Sequence, residues 1–122
     1  MTVYVDDMRA PFGRMKMCHM VADSDTELHA MAARIGVARR WHQAPPQHDS
    51  HYDIAQTKRK QALEAGAVQV TLRQLSAMVM RRRVTGSLGL PVDAAAWARE
   101  HVRERQQARK AGAGSGSQDS PQ

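Results

Sequence analysis

Hydrophobic and polar positions along this chain switch repeatedly between a period of two and a helical period. Residues 2–6 (Thr2-Val3-Tyr4-Val5-Asp6) alternate, with Val3 and Val5 on one face and Tyr4 and Asp6 on the other, which predicts a first strand ending at Asp6-Asp7. Residues 8–14 contain Pro11 and Gly13 and are expected to be a connection. Residues 15–22 alternate again and predict a second strand, with Met17, His19 and Val21 sharing a side. Ser24 and Glu27 have capping-box spacing, and the helix they open sets Leu28, Met31, Ala32 and Ile35 on one face before Gly36.

Residues 37–43 are expected to form a short third strand or an irregular crossing, and Ala44-Pro45-Pro46-Gln47 a rigid, extended bridge. Asp53 with Gln56 repeats the capping spacing and predicts a helix to about Ala65, closed by Gly66. Residues 67–70 predict a short strand, and Thr71 with Gln74 a further capped helix ending at Arg81-Arg82-Arg83, whose charges complement its C-terminal dipole. After the break at residues 85–91, Asp93 caps a last helix whose later half mixes charge signs and is expected to be solvated.

This order of elements predicts an α/β fold. Residues 1–85 form a single small domain, a short mixed sheet flanked by three helices; residues 86–110 are a linker and peripheral C-terminal helix. The Gly/Ser-rich residues 111–122 are expected to be a disordered tail.

Composition narrows what the core is made of and what the surface attracts. With 42% hydrophobic residues, only 4% aromatic ones and eight Met, the core must be aliphatic and Met-rich. A formal charge of +6 favours acidic partners such as nucleotides or nucleic acid, and a host protein is a further candidate. The single Cys18 excludes an internal disulfide and is expected to be a small core residue of a soluble, cytoplasmic protein. No stretch approaches the roughly 20 apolar residues needed to span a membrane.

Candidate chemistry gathers around residues 48–59, where His48, His51, Tyr52 and Asp53 precede Lys58 and Arg59. An imidazole titrates near neutrality, so His51 and His19 are the candidate proton-transfer groups, with Asp6 and Asp7 to orient them. Lys58 and Arg59 are candidates for gripping phosphate oxygens, Tyr52 for the same ligand, and Trp41 either for a stacking face or for a core anchor. The strong metal patterns (His-Glu-x-x-His, paired Cys, a calcium loop) are missing from the sequence. Asp23, His48 and Asp53 nonetheless offer ligands suited to Mg²⁺, Mn²⁺ or Zn²⁺ as a divalent cofactor. Two functions stay open: hydrolysis of a phosphoester or nucleotide, and non-catalytic binding of a nucleotide or nucleic acid.

Tyr4-Val5-Asp6-Asp7, His19 with Asp23, Glu27-Leu28-His29-Ala30, and His51-Tyr52-Asp53 followed by Lys58-Arg59 together carry a resemblance. Over roughly residues 2–85 the chain resembles a family of small phage and bacterial proteins of unknown function. The resemblance implies no particular activity. It implies a phage or prophage origin, with a role in nucleic-acid metabolism or in conflict with the host.

Overall fold

The computed structural model describes residues 2–116. Its sheet is built around strand β3 (Met15–Ala22). The second half of β3 pairs antiparallel with β1 (Val3–Val5), and its first half with β2 (Ala10–Phe12). Residues 17–20 of β3 also pair antiparallel with β4 (Tyr52–Ala55), which overlaps both of those partners and must therefore lie along the opposite edge. Strand β5 (Val68–Gln69) joins β1 in parallel. The result is a mixed five-stranded sheet, and with its helices the molecule is a single small α/β domain.

Alternation along β3 divides the molecule into two apolar layers. Cys18, Met20 and Ala22 face α1 (Asp25–Arg34) and α2 (Gln56–Glu64), where they meet Leu28, Ala32 and Ala62 with Tyr52 and Ile54 of β4. Val21 faces the other way, with Tyr4, toward Leu75 and Met78 of α3 (Leu72–Thr85) and Ala94 of α4 (Pro91–Gly116). Met17 and His19 share Val21's face. No helix among the described residues is long and apolar enough to cross a membrane.

Several local expectations change. Residues 10–12 form a strand, turned back by Gly13 at φ +59°. This hairpin is largely exposed, with Phe12 at 64%, so no burial pattern announces it. Asp53 is not a helix cap: residues 52–55 are strand, and α2 starts at Gln56 after an Ala55 that makes no side-chain cap. Burying Tyr52 and Ile54 at period two outweighs a cap worth about 1 kcal/mol. Residues 37–43 carry a 3-10 turn at Arg39–Trp41, then an isolated bridge between Gln43 and His51. Pro45 and Pro46 lie in a bend, where an extended bridge was expected. Helix α4 continues to Gly116, and residues 117–122 of the expected tail lie outside the described residues.

The arginine run also does more than complement a dipole. Arg82 donates to three backbone carbonyls, those of His48 (2.7 Å), Ser50 (3.1 Å) and Ala22 (3.3 Å). Arg81 pairs with Asp93 at 3.1 Å and lies over the Trp97 ring, fixing α4 to α3.

Candidate metal centre

Strand pairing brings three donor atoms together. His19 sits opposite Asp53 in the β3–β4 register, and His51 precedes β4 on the same face as Asp53. His51 Nε2 lies 3.4 Å from Asp53 Oδ1, and His19 Nε2 lies 3.8 Å from the same oxygen. A cation held at about 2.1 Å from each donor has ligand–ligand edges of about 3.0 Å at right angles and about 3.4 Å at the tetrahedral angle. The two separations from Asp53 Oδ1 therefore lie within a few tenths of an ångström of such edges, and all three donor atoms fall within 4.8 Å of one another.

Both imidazoles are presented to that point in one tautomer. The His51 Nδ1–H donates to the Asp49 carbonyl at 2.6 Å, an oxygen that can only accept. The His19 Nδ1–H donates to Asp6 Oδ2 at 2.7 Å. Each ring thus turns an unprotonated Nε2 toward Asp53 when neutral. Asp6 is wholly buried, and its Oδ1 accepts the N–H groups of His19 (3.0 Å) and Met8 (3.2 Å). Burial alone would raise the Asp6 carboxyl, but the bonds and charge of His19, with the Met8 N–H, hold it below its ordinary value.

Asp53 is the member with an unfilled position. Its Oδ2 accepts the Gln43 side-chain N–H at 2.8 Å, while its Oδ1 is buried without a hydrogen-bond partner. The side chain as a whole is 40% exposed, so that exposure belongs to its other atoms. The 3.4 Å approach of His51 is an electrostatic contact that does not satisfy Oδ1. The Asp53 carboxylate raises the His51 pKa above its usual value, and the Asp6 carboxylate does the same for His19. His51 in turn lowers Asp53. When both rings are neutral, that buried oxygen lacks a donor and faces two acceptor nitrogens, an arrangement that a divalent cation completes in place of ring protons.

A cleft of about 440 Å³ opens beside the two rings, with His19, Asp49 and His51 on one wall and Leu72, Leu75 and Val79 of α3 on the other. The cleft reaches the two imidazoles, whereas Asp53 faces a different groove on the other side of β4.

A second group, Asp25, His29 and His42, also falls within donor reach. Here both carboxylate oxygens already have hydrogen-bond donors. Ser50 Oγ–H donates to Asp25 Oδ1 at 2.6 Å and accepts from His42 Nε2 at 2.8 Å; Gln47 fills Asp25 Oδ2, and His29 shares a 2.7 Å bond with the Tyr52 hydroxyl. Ser50 is wholly buried, which removes it as a nucleophile. This network ties the turn at residues 47–50 to α1.

The other residues singled out from the sequence are placed as follows. Asp7 Oδ1 accepts the Leu72 N–H at 2.8 Å and so caps α3. Asp23 accepts the Thr2 N–H at 2.9 Å; four strand residues beyond His19, it stands about 13 Å along the chain. His48 is carried off by the 3-10 turn Gln47–Asp49 and offers its carbonyl to Arg82. Tyr52 is wholly buried on the opposite face. Arg59 donates to the Asp6 carbonyl at 2.8 Å and to Gln69 at 2.9 Å, so it braces the strand behind Asp6. Trp41 is 56% exposed and is not a core anchor; it lines a separate groove with Lys58. Burial pushes the Cys18 thiol up to about 12, leaving it protonated at neutral pH. Gln43 and Asp49 complete the centre unannounced, because a side-chain amide and a backbone carbonyl carry no motif.

A family model described as protein of unknown function (DUF4031) matches residues 3–82, and the chain belongs to that family. The match spans every residue of the centre and stops short of α4. No curated protein and no solved structure matches the chain.

Proposed function

We propose that this member of the DUF4031 family is a divalent-metal-dependent phosphoester hydrolase, with His19 Nε2, His51 Nε2 and Asp53 Oδ1 as the protein ligands. The observation that carries the reading is the buried, unpartnered Asp53 Oδ1 facing two imidazoles whose tautomers are already set. Two nitrogens and one oxygen suit Zn²⁺ or Mn²⁺ better than Mg²⁺, which prefers an all-oxygen shell.

Bound there, the metal supplies a Lewis acid and a water of lowered pKa. His19 and His51 hold the cation through Nε2, Asp6 and the Asp49 carbonyl fix the rings, and Gln43 fixes Asp53. The cleft against α3 admits the scissile group, and its apolar wall of Leu72, Leu75 and Val79 limits competing water. The net charge of +6 favours an anionic substrate.

The test is to strip the protein of metal and reload it with Zn²⁺, Mn²⁺ or Mg²⁺. It is then incubated with bis(p-nitrophenyl) phosphate and with labelled nucleotides, RNA and single- and double-stranded DNA. Zn²⁺- or Mn²⁺-dependent product that is lost in His51→Ala is the expected result. Stoichiometric, salt-sensitive retention of nucleotide or nucleic acid without product would assign the non-catalytic binding role instead.

A further inference from the structure

Around the outer edge of β4 runs a groove of about 540 Å³ that meets the candidate centre at Asp53 and Gln43. Phe12, Met15 and Trp41 line it while 64%, 46% and 56% exposed. Only 4% of this chain is aromatic, yet two of its aromatic side chains are exposed in one hollow. Neither apolar layer of the core accounts for them. The charged lining is predominantly cationic. Arg40 lies with its guanidinium 5.3 Å from the Trp41 ring centroid, and Lys58 reaches in from α2 beside Gly36. The one carboxylate on the wall is Asp53, whose Oδ2 accepts the Gln43 side-chain N–H.

We propose that this groove is the base-binding half of the substrate site and that its occupant is single-stranded nucleic acid. Unpaired bases stack on Trp41 and against Phe12, and Arg40 and Lys58 run beside the phosphates. The strand then leads toward the centre at Asp53. Flat aromatic faces flanked by cations match what an unpaired polynucleotide offers, a series of π-faces on a polyanion. A duplex hides those faces in its own stack. A second copy of this chain, also at +6, would bring like charge against Arg40 and Lys58. The substrate assignment rests on the proposed hydrolase, whereas the binding itself does not.

The experiment is therefore split. Full-length protein in EDTA is titrated into fluorescein-labelled dT12, U12 and a 12-base-pair duplex, with anisotropy read at two salt concentrations. The expected result is salt-sensitive binding of both single strands and markedly weaker binding of the duplex. Trp41→Ala should weaken binding about tenfold or more, Trp41→Phe should restore most of it, and Lys58→Ala should flatten the salt dependence. No single-strand binding, equal affinity for the duplex, or an unaltered Trp41→Ala variant would overturn the proposal. So would a dimer that Trp41→Ala converts to monomer, since the groove would then be a self-interface. Hydrolysis of bis(p-nitrophenyl) phosphate without oligonucleotide binding would sink the groove and leave the hydrolase standing. Binding without turnover would do the reverse.

Discussion

Asp6 is not among the proposed metal ligands, yet the orientation of His19 depends on it. With its carboxylate buried and its three bonds spent on the His19 ring, the His19 N–H and the Met8 N–H, it sets which imidazole nitrogen faces Asp53. Asp6→Asn removes the charge and one of the two accepting oxygens, so its amide NH₂ opposes either the ring N–H or the two backbone N–H groups. Zn²⁺ affinity should fall about 10- to 100-fold, measured by competition with a chromophoric chelator, with the fold retained by circular dichroism. Ser50→Ala tests the neighbouring network by leaving Asp25 and His42 without their shared partner. The change should cost about 1–3 kcal/mol in urea unfolding. Its pH dependence has a definite sign. The Ser50 bond holds the Asp25 pKa below its ordinary 3.8, so its contribution is present above 3.8 and is lost as pH falls through the lower folded value. In Ser50→Ala that acid-side loss should shrink. At this scale the sequence singled out His19, His51, Asp53 and Asp6, and the structure brings these four together. Asp23 and His48 are not brought to them, because closeness along a chain is not closeness in a sheet: four residues of strand separate Asp23 from His19 by about 13 Å.

Helices were easier to foresee than strands, and the reason lies in what each needs. The Ser24–Glu27 and Thr71–Gln74 pairs act within four residues, so their caps form where the spacing says they should. Thr71→Ala should cost about 1 kcal/mol by urea unfolding; the loss is limited because Asp7 still caps the Leu72 N–H. Strand β4 carries an equally good capping signal at Asp53, but its fate is settled by β3, more than 30 residues earlier in the chain. The hairpin at residues 10–15 had no signal to give, because an exposed edge containing Pro11 shows neither alternation nor a buried face.

Across the whole molecule, the centre stands where the two apolar layers part, and Arg82 is the link between them. Its three bonds run from α3 to the end of β3 and to both ends of the 48–50 turn, which delivers His51. Lys in its place can reach one carbonyl at a time and lacks the planar fork. Arg82→Lys should lower stability by about 1–3 kcal/mol and weaken metal binding by loosening His51, readable as a fall in Tm and in Zn²⁺ affinity. A cation bound to the folded form alone adds about 2.7 kcal/mol at 100 times its Kd, so the wild type should melt higher with Zn²⁺ and His51→Ala should not respond.

Between residues 50 and 53 the side chains turn left and right of the backbone in strict succession, His51 and Asp53 to the centre, Ser50 and Tyr52 to α1. Odd and even positions therefore hold separate offices. The bend at residues 44–46 can lengthen or shorten in evolution while leaving the centre's donors in place, provided the Gln43–His51 bridge and the 47–50 turn survive. One residue removed inside the tetrapeptide would swap the parities, sending hydroxyls to the cation position and imidazole and carboxylate into the packed layer beneath α1.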